Sequence, residues 1–331
     1  MNLLAAVPGF TGNQTALSPV GPGAAHIEHT FSLIFWITST VWLLVLTAVV
    51  IAVYRRRYTL EQMPPPERTT EASDRFAARA VGVSMGITVL LLFIMLISSF
   101  RTGHAIGTMN SEPQPLTIDV YGHQWWWEVR YPNPVPANIV ETANEIHVPV
   151  GVPVHIHGTS RDVIHSFWAP NIQGKRDLMP GYDTDLMLQV DQPGYWRGQC
   201  AEFCGLQHAH MAFYIIAQPK DEFEHWLTAQ AQSAPVPSDA QTQHGQQVFL
   251  THGCVLCHTI GGTTAASRVG PDLTHLASRS TIAAGTLPNT TGNLAGWILN
   301  AQSIKPGARM PPNQLFGTDL QDLLAYLETL K

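Results

Sequence analysis

The stretch CAEFCGLQHAHM, residues 200–211, sets two thiols four residues apart, Cys200 and Cys204, and follows them with His208 and Met211. Thiolate, imidazole and thioether are soft donors, and that set selects copper over hard cations. Two cysteines at i and i+4 in one loop can bridge two copper ions through both sulfurs. An electron shared over two metals changes each bond little, so reorganisation on transfer is small. A second pair stands at Cys254 and Cys257, within CVLCH. C-x-x-C-H is the attachment sequence of a c-type haem: two thioethers tether the porphyrin, and His258 is placed as the proximal iron ligand. In an oxidising compartment four cysteines would ordinarily read as two disulfides. A bridge between Cys200 and Cys204 would leave His208 and Met211 without a purpose.

Such ligands need a scaffold. From Leu116 the sequence runs through LTIDVYG, WWWEVRY, EIHVPV, VPVHIHG, DLMLQV and AFYIIA, short stretches rich in Val, Ile and aromatics and punctuated by Gly, Pro and Asn. That pattern predicts an antiparallel β-sandwich or barrel. It ends near Pro219, and KDEFEHWLTAQAQ predicts a short amphipathic helix. SAPVPSDA (233–240) has linker composition, and the remainder shows helical patterns in TQHGQQVFLTHG and DLQDLLAYLETL. Three modules follow: an N-terminal segment with two helices over 1–109, a β-domain over 110–232, and a linker with a small all-α domain over 233–331.

Charged residues make up 13% and hydrophobic ones 45% of the 331 residues. Residues 31–54 and 80–100 carry no charge inside them, and each is long enough to cross about 30 Å of hydrocarbon as a helix. The first run starts late and has no basic segment ahead of it, which sets it apart from a signal peptide. Arg55, Arg56, Arg57, Arg68, Arg75 and Arg79 lie between the two runs, whereas residues 1–54 hold neither Lys nor Arg. By the positive-inside rule the hairpin turn is cytoplasmic, and both termini with all that follows residue 101 are outside. The formal charge of −6 and the lack of a basic stripe argue against a nucleic-acid partner.

At this point a family resemblance becomes specific. DVIHSFWAP (162–170) followed by CAEFCGLQHAHM resembles subunit 2 of the haem–copper cytochrome c oxidases, whose copper domain is cupredoxin-like. GHQWWWEVRYP (122–132) and KRDLMPG (175–181) are similar to further segments of that family. The resemblance implies a binuclear copper A centre with Cys200 and Cys204 as bridging thiolates, His165 and His208 as imidazole ligands and Met211 as thioether. The main-chain carbonyl of Glu202 completes the set, and its side chain would bind Mg2+ shared with subunit 1. Trp125 matches the residue through which cytochrome c electrons enter. GPDLTHLASR (270–279) and WILNAQSIKPGARMPP (297–312) resemble small class I cytochromes c, which makes Met310 the second axial ligand opposite His258. Methionine opposite histidine raises the potential of the iron.

The expected protein is therefore the electron-accepting subunit of a proton-translocating terminal oxidase in a bacterial plasma membrane, with its copper and haem domains on the periplasmic side. Its implied partners are subunit 1, subunit 3, membrane lipid and a soluble or membrane-bound cytochrome c or similar donor. His155 and His157 share a strand face but are read as non-ligands, as are His210, His123, His252 and His275. The family's acidic mark at the start of the second membrane helix, a glutamate with Trp-Thr and a proline, is missing; only Glu71 and Asp74 stand there. The rival readings are the electron-accepting subunit of a copper A type nitric oxide or nitrous oxide reductase, and a non-enzymatic copper carrier or assembly protein. A carrier wants exchangeable metal and no covalent haem, so CVLCH counts against it. A quinol oxidase subunit of similar shape would lack the ligands.

Overall fold

Apolar side chains all around a long helix leave it no aqueous face, and two such helices open the chain. The computed structural model describes residues 14–55, 71–109, 116–315 and 317–331. Helix α1, Pro22–Arg55, and helix α2, Glu71–Met109, extend beyond the two uncharged runs at both ends. Both are long and apolar enough to span a bilayer. Thr30 Oγ1 and Thr102 Oγ1 lie 2.6 Å apart, so the start of α1 meets the end of α2 as in an antiparallel hairpin. Arg55, Arg75 and Arg79 sit at the ends facing the turn; Arg56, Arg57 and Arg68 lie outside the described residues.

The predicted β-runs all appear as strands. One sheet has five, in the order β3 (Val140–Ala143), β2 (Trp126–Tyr131), β1 (Leu116–His123), β5 (Val154–Ser160), β8 (Thr184–Leu188). The other holds β4 (Glu145–Pro149), β10 (Ala212–Gln218) and β9 (Gly194–Gln199), and a small hairpin pairs β6 (His165–Phe167) with β7 (Arg176–Leu178). Most pairings are antiparallel, but β1 runs parallel to β5 and β4 parallel to β10. Alternation along a strand fixes which face is buried, not the direction of its neighbour, so these two pairings were not legible.

The three tryptophans divide as a pleat requires. Trp127 is fully buried, with Phe167 and Phe213 edge-on to its ring at centroid distances of 5.9 and 5.3 Å. Trp126 points to the other face and stacks on His123 at 4.4 Å. Tyr131 closes the sandwich: its hydroxyl accepts the His147 N–H at 2.7 Å and donates to the His147 carbonyl at 2.9 Å. Residues ahead of α1 are strapped to the sandwich, with Val20 N–H donating to the Asn171 carbonyl at 2.7 Å and Asp191 N–H to the Val20 carbonyl at 2.8 Å.

Helix α3, Lys220–Gln230, forms where predicted and covers the sandwich end with Phe223 and Trp226. The last module packs α4 (Ala240–Thr251), α5 (Thr291–Ile304) and α6 (Thr318–Leu327) around Val248, Phe249, Ile298, Leu323 and Tyr326, with a two-residue ribbon of β11 (Thr281–Ile282) and β12 (Leu287–Pro288) beside them. Asp239 caps α4 by accepting the Thr242 N–H at 2.9 Å. Helix α6 packs closely on α4: a Cβ on Gly245 would lie 1.9 Å from the Asp322 carbonyl oxygen, so only glycine admits the approach.

SAPVPSDA joins two modules, and the sandwich and the helical module form one compact unit. Ala212 N–H donates to the Ala284 carbonyl at 3.1 Å, and Arg268 pairs with Glu141 at 3.0 Å. Glu145 of β4, 4% exposed, accepts the Ser280 N–H at 2.8 Å and its hydroxyl at 2.6 Å. Burial pushes the Glu145 carboxyl above the usual range, against the pull of the Ser280 hydrogen bonds. A carboxyl raised on folding stabilises below its unfolded pKa, and that contribution is lost as pH rises through the raised folded value. Glu145→Gln keeps an acceptor for Ser280 without the charge. It is expected to raise the thermal midpoint at pH 8 by about 2–4 °C, the shift expected for ~1 kcal/mol in a unit of this size. Calorimetry at pH 8 and pH 4 checks it, and the gain should shrink at the lower pH.

Candidate functional site

Cys200 leaves β9 with its N–H on the Met211 carbonyl at 2.9 Å, which fixes the two ends of the loop between β9 and β10 against each other. Cys204, Met211 and Cys200 are almost wholly buried, while Phe203 and Leu206 between them are exposed. The Sγ atoms of Cys200 and Cys204 are 3.8 Å apart. That is far beyond the ~2.05 Å of a disulfide, and all four cysteines are free.

His165 comes from β6, thirty-five residues earlier, and puts Nδ1 3.8 Å from the Cys200 Sγ. His208 puts its Nδ1 3.6 Å from the Cys204 Sγ, and the Met211 Sδ lies 3.8 Å from the same sulfur. The Glu202 carbonyl lies 3.2 Å from the Cys200 Sγ, while the Glu202 side chain is exposed. The loop and one strand thus bring together all six predicted copper donors. Two bridging sulfurs and four terminal donors are what two four-coordinate ions need.

Electrostatics fit the same use. The Cys200 thiol is drawn down to about 4, chiefly by the hydrogen bond from Cys204 and also by His165, against the effect of burial. Cys204 is pushed up in turn, chiefly by its hydrogen bond with Cys200 and then by burial. The pair gives up one proton readily and holds the other between two sulfurs, a place that a cation can take. Burial disfavours charge on His165, but hydrogen bonds to Asp162 and Cys200 raise it overall.

Asp162 was not foreseen. Its Oδ1 accepts from His165 Nε2 at 2.9 Å, which turns Nδ1 toward the sulfurs. Burial opposes charge on Asp162, yet bonds from His165 and from the Gln124 and Val163 N–H groups hold it down to about 2. The spacing Asp-x-x-His in DVIH was the only signal for it. Gly122 supplies room on the other side: a Cβ there would lie 2.6 Å from the His165 Cδ2.

Trp125, 8% exposed, lies beside this loop, and its indole Nε1 donates to the Cys204 carbonyl at 2.9 Å. Gln124 Nε2 donates to the same oxygen at 2.8 Å. The remaining histidines of the sandwich are engaged elsewhere. His210 bonds Gln207, His123 bonds Glu128, His155 bonds Asp185, and His157 lies 3.3 Å from Asp119.

Cys254 opens a 3-10 turn, Cys254–Leu256, entered through Gly253 with φ of +83°, and Cys257 follows directly at its end. Both cysteines are half-buried. His258 Nδ1 bonds the Pro271 carbonyl at 2.7 Å, so Nε2 is the nitrogen left for a ligand. Burial lowers the His258 pKa, the Pro271 bond opposing, which keeps the ring neutral as an iron ligand must be. Gly270 lies against that ring, where a Cβ would come within 2.7 Å of Cε1. Met310 packs half-buried against the same apolar cluster as Cys254 and Trp297. Arg279 is buried with its Nε unpartnered, an orphan donor that an anionic group such as a porphyrin carboxylate would satisfy. These residues fit a c-type haem. His252 bonds the Val248 carbonyl, and His275 bonds the carbonyls of Lys331 and Gln232.

Comparison with known proteins gives a consistent result. The family described as cytochrome c oxidase subunit II, periplasmic domain, matches residues 133–218, and the cytochrome c family matches residues 242–331. Cytochrome c oxidase subunit 2 of Alkalihalophilus pseudofirmus is 32% identical, over 96% of this chain and 91% of that protein. The protein of the same name from Bacillus sp. PS3 is 29% identical over 74% of this chain and 72% of its own length. Quinol oxidase subunit 2 of Bacillus cereus is 27% identical over 76% of this chain and 87% of its own. Among solved structures, the periplasmic domain of cytochrome oxidase subunit II of Bradyrhizobium japonicum is 30% identical, covering 36% of this chain and 95% of that one, with a TM-score of 0.34.

Proposed function

This chain belongs to the cytochrome c oxidase subunit II family, with a cytochrome c domain after the copper domain, and on that premise we propose that it brings electrons into a haem–copper terminal oxidase. The donor is a c-type cytochrome or similar protein; Cys254 and Cys257 would tether a haem that takes the electron first, and the loop of Cys200 and Cys204 would hold a binuclear copper centre that takes it next. The partner subunit carries out the reduction of O2 to water and the coupled proton translocation. The convergence of two cysteines, two histidines, a methionine and a carbonyl around one pair of sulfurs 3.8 Å apart carries this reading.

When bound, the two metal groups supply one-electron redox chemistry with little bond rearrangement. The protein's own residues set the conditions for it. Asp162 accepts the His165 Nε2 proton and so fixes both tautomer and ring orientation. Cys200, Cys204 and Met211 are buried beyond the reach of bulk water, which limits solvent reorganisation. The Trp125 indole, bonded to the Cys204 carbonyl, joins the copper loop to the neighbouring domain. His258 is held by Pro271, and His258 together with Met310, which packs against the same apolar cluster as Cys254, would hold the haem iron. The exposed Glu202 carboxylate is assigned to Mg2+ at the contact with subunit 1. Helices α1 and α2 anchor the chain in the bacterial plasma membrane with both termini and the copper and haem domains outside, beside subunits 1 and 3. A quinol delivers electrons from within the bilayer and needs neither the thiolate pair nor CVLCH, so their presence favours a protein donor.

Two measurements bear on this. In the purified complex, reduced by ascorbate and a mediator, cyanide-sensitive oxygen uptake is expected to depend on a soluble donor and to fall in Met310→Ala. Consumption of nitric oxide with no oxygen uptake would keep both metal sites and overturn the function. Asp162→Ala is expected to weaken copper binding by about 10–100-fold, as loss of a ligand's outer hydrogen bond commonly does. Competition with a copper chelator reads this directly, and unchanged affinity would remove Asp162 from the site.

A further inference from the structure

The turn after α5 crosses from the helical module onto the copper loop. Lys305 is 2% exposed, and among the described residues no carboxylate pairs with its ammonium. Its Nζ donates to the Trp125 carbonyl of the sandwich at 2.7 Å and to the Ala283 carbonyl of its own module at 3.1 Å. Burial pulls Lys305 down to about 7, with Cys204 opposing, so the side chain occupies a place that costs a cation energy. The residues that follow continue the contact. Gln207 donates to the Pro306 carbonyl at 2.8 Å, and Arg309 reaches Asp162 at 3.5 Å. A Cβ on Gly307 would lie 3.4 Å from Trp125 Cη2 and 3.2 Å from Leu206 Cδ1, so the glycine backbone rests directly on the indole. Met310 stands at the end of this same segment.

Trp125 is therefore roofed by the chain's own Lys305–Gly307 segment. By contrast, Leu256 and Val269, near the haem-attachment turn, are 72% and 55% exposed. We propose that Lys305 is a positioning residue that pins the Lys305–Met310 segment over Trp125, closing this face to soluble donors and leaving the haem-bearing module as the port for electrons. The inference rests on the function proposed above. One electron leaves the donor's ferrous iron, which becomes ferric, and arrives at the haem iron; no bond or proton is exchanged. A buried lysine held by two carbonyls suits this role, because its hydrogen bonds specify one docked arrangement at some cost in stability. Covalent linkage keeps the module near, but only a specific contact keeps it seated.

The test uses the intact complex loaded with both metals. A ferrous soluble cytochrome c of mitochondrial type is mixed in a stopped-flow instrument, and bleaching of the near-infrared copper band is followed. The Met310→Ala variant serves as the background, since it impairs the route through the haem. With Lys305 present, copper bleaching is expected to be slow and independent of donor concentration. Adding Lys305→Met should create a phase whose rate rises linearly with donor and exceeds the background by about tenfold or more, within the range that interface changes give association rates. Arg309 is 61% exposed, so Arg309→Gln should fold normally and open the face to a smaller extent. A fold change alone would not produce a bimolecular phase while the copper and haem spectra stay intact. Equal donor dependence in the background and in both variants overturns the proposal. Failure of the underlying function has a different signature: the unmutated complex would lack the copper band or the haem c bands.

Discussion

Cys204→Ser is expected to leave the sandwich folded and unable to hold two copper ions. A serine oxygen is hard, shorter in reach and protonated at neutral pH, so it cannot bridge two soft ions as the Cys204 sulfur can. The loss extends to its neighbour. The hydrogen bond from Cys204 is the largest influence holding the Cys200 thiol near 4, and without it the Cys200 thiolate becomes harder to form. Metal analysis of the purified complex should show the two coppers falling to one or none, with the near-infrared band gone. The haem bands should be unchanged, because CVLCH lies in another module with its own core. Retention of two coppers would mean that the sulfurs do not bridge them.

Cys254→Ala combined with Cys257→Ala tests the other site, with the reverse pattern. Neither thioether can form, so haem should become extractable into acidified acetone instead of staying with the chain. The Met310 and Trp297 side chains pack around this site together with Val255 and Leu273. Loss of the group is therefore expected to loosen the module, visible as faster amide exchange in α5. Electron delivery from a soluble donor should be lost while copper content stays at two. Haem that still resists extraction would place the attachment elsewhere. The two variants together show whether each metal site stands without the other.

Each site is short in sequence, and that decides how much of it could be read. Cys200, Cys204, His208 and Met211 fall in one loop of twelve residues, and Cys254, Cys257 and His258 within five. Over such distances the backbone itself limits where side chains can lie, so residue type and spacing carry the chemistry. The same holds for the strands. Val and Ile at alternate positions in LTIDVYG commit one face to burial, and β1 forms there with Ile118 and Val120 in the core. Uncharged runs of twenty or more residues likewise admit few structures besides a membrane helix, and α1 and α2 contain them.

His165 had no such local sign; only the family resemblance pointed to it. It reaches Cys200 across 35 residues because β6 and β9 come together in the folded sandwich. Asp162 gains its place through His165, and Glu145 meets Ser280 across the boundary between the sandwich and the helical module. Lys305 and Trp125 are 180 residues apart, each unremarkable in its own segment. By itself the sequence determined the residue types at the two candidate sites, the CVLCH turn, six strands of the sandwich and five of the six described helices in their order, since these depend on chain geometry over a few residues. Tertiary structure alone decided which strand supplies the missing histidine, which pairings run parallel, and that Trp125 lies beneath the neighbouring module. Those outcomes depend on which surfaces pack together across long stretches of chain, and no short-range pattern encodes that choice.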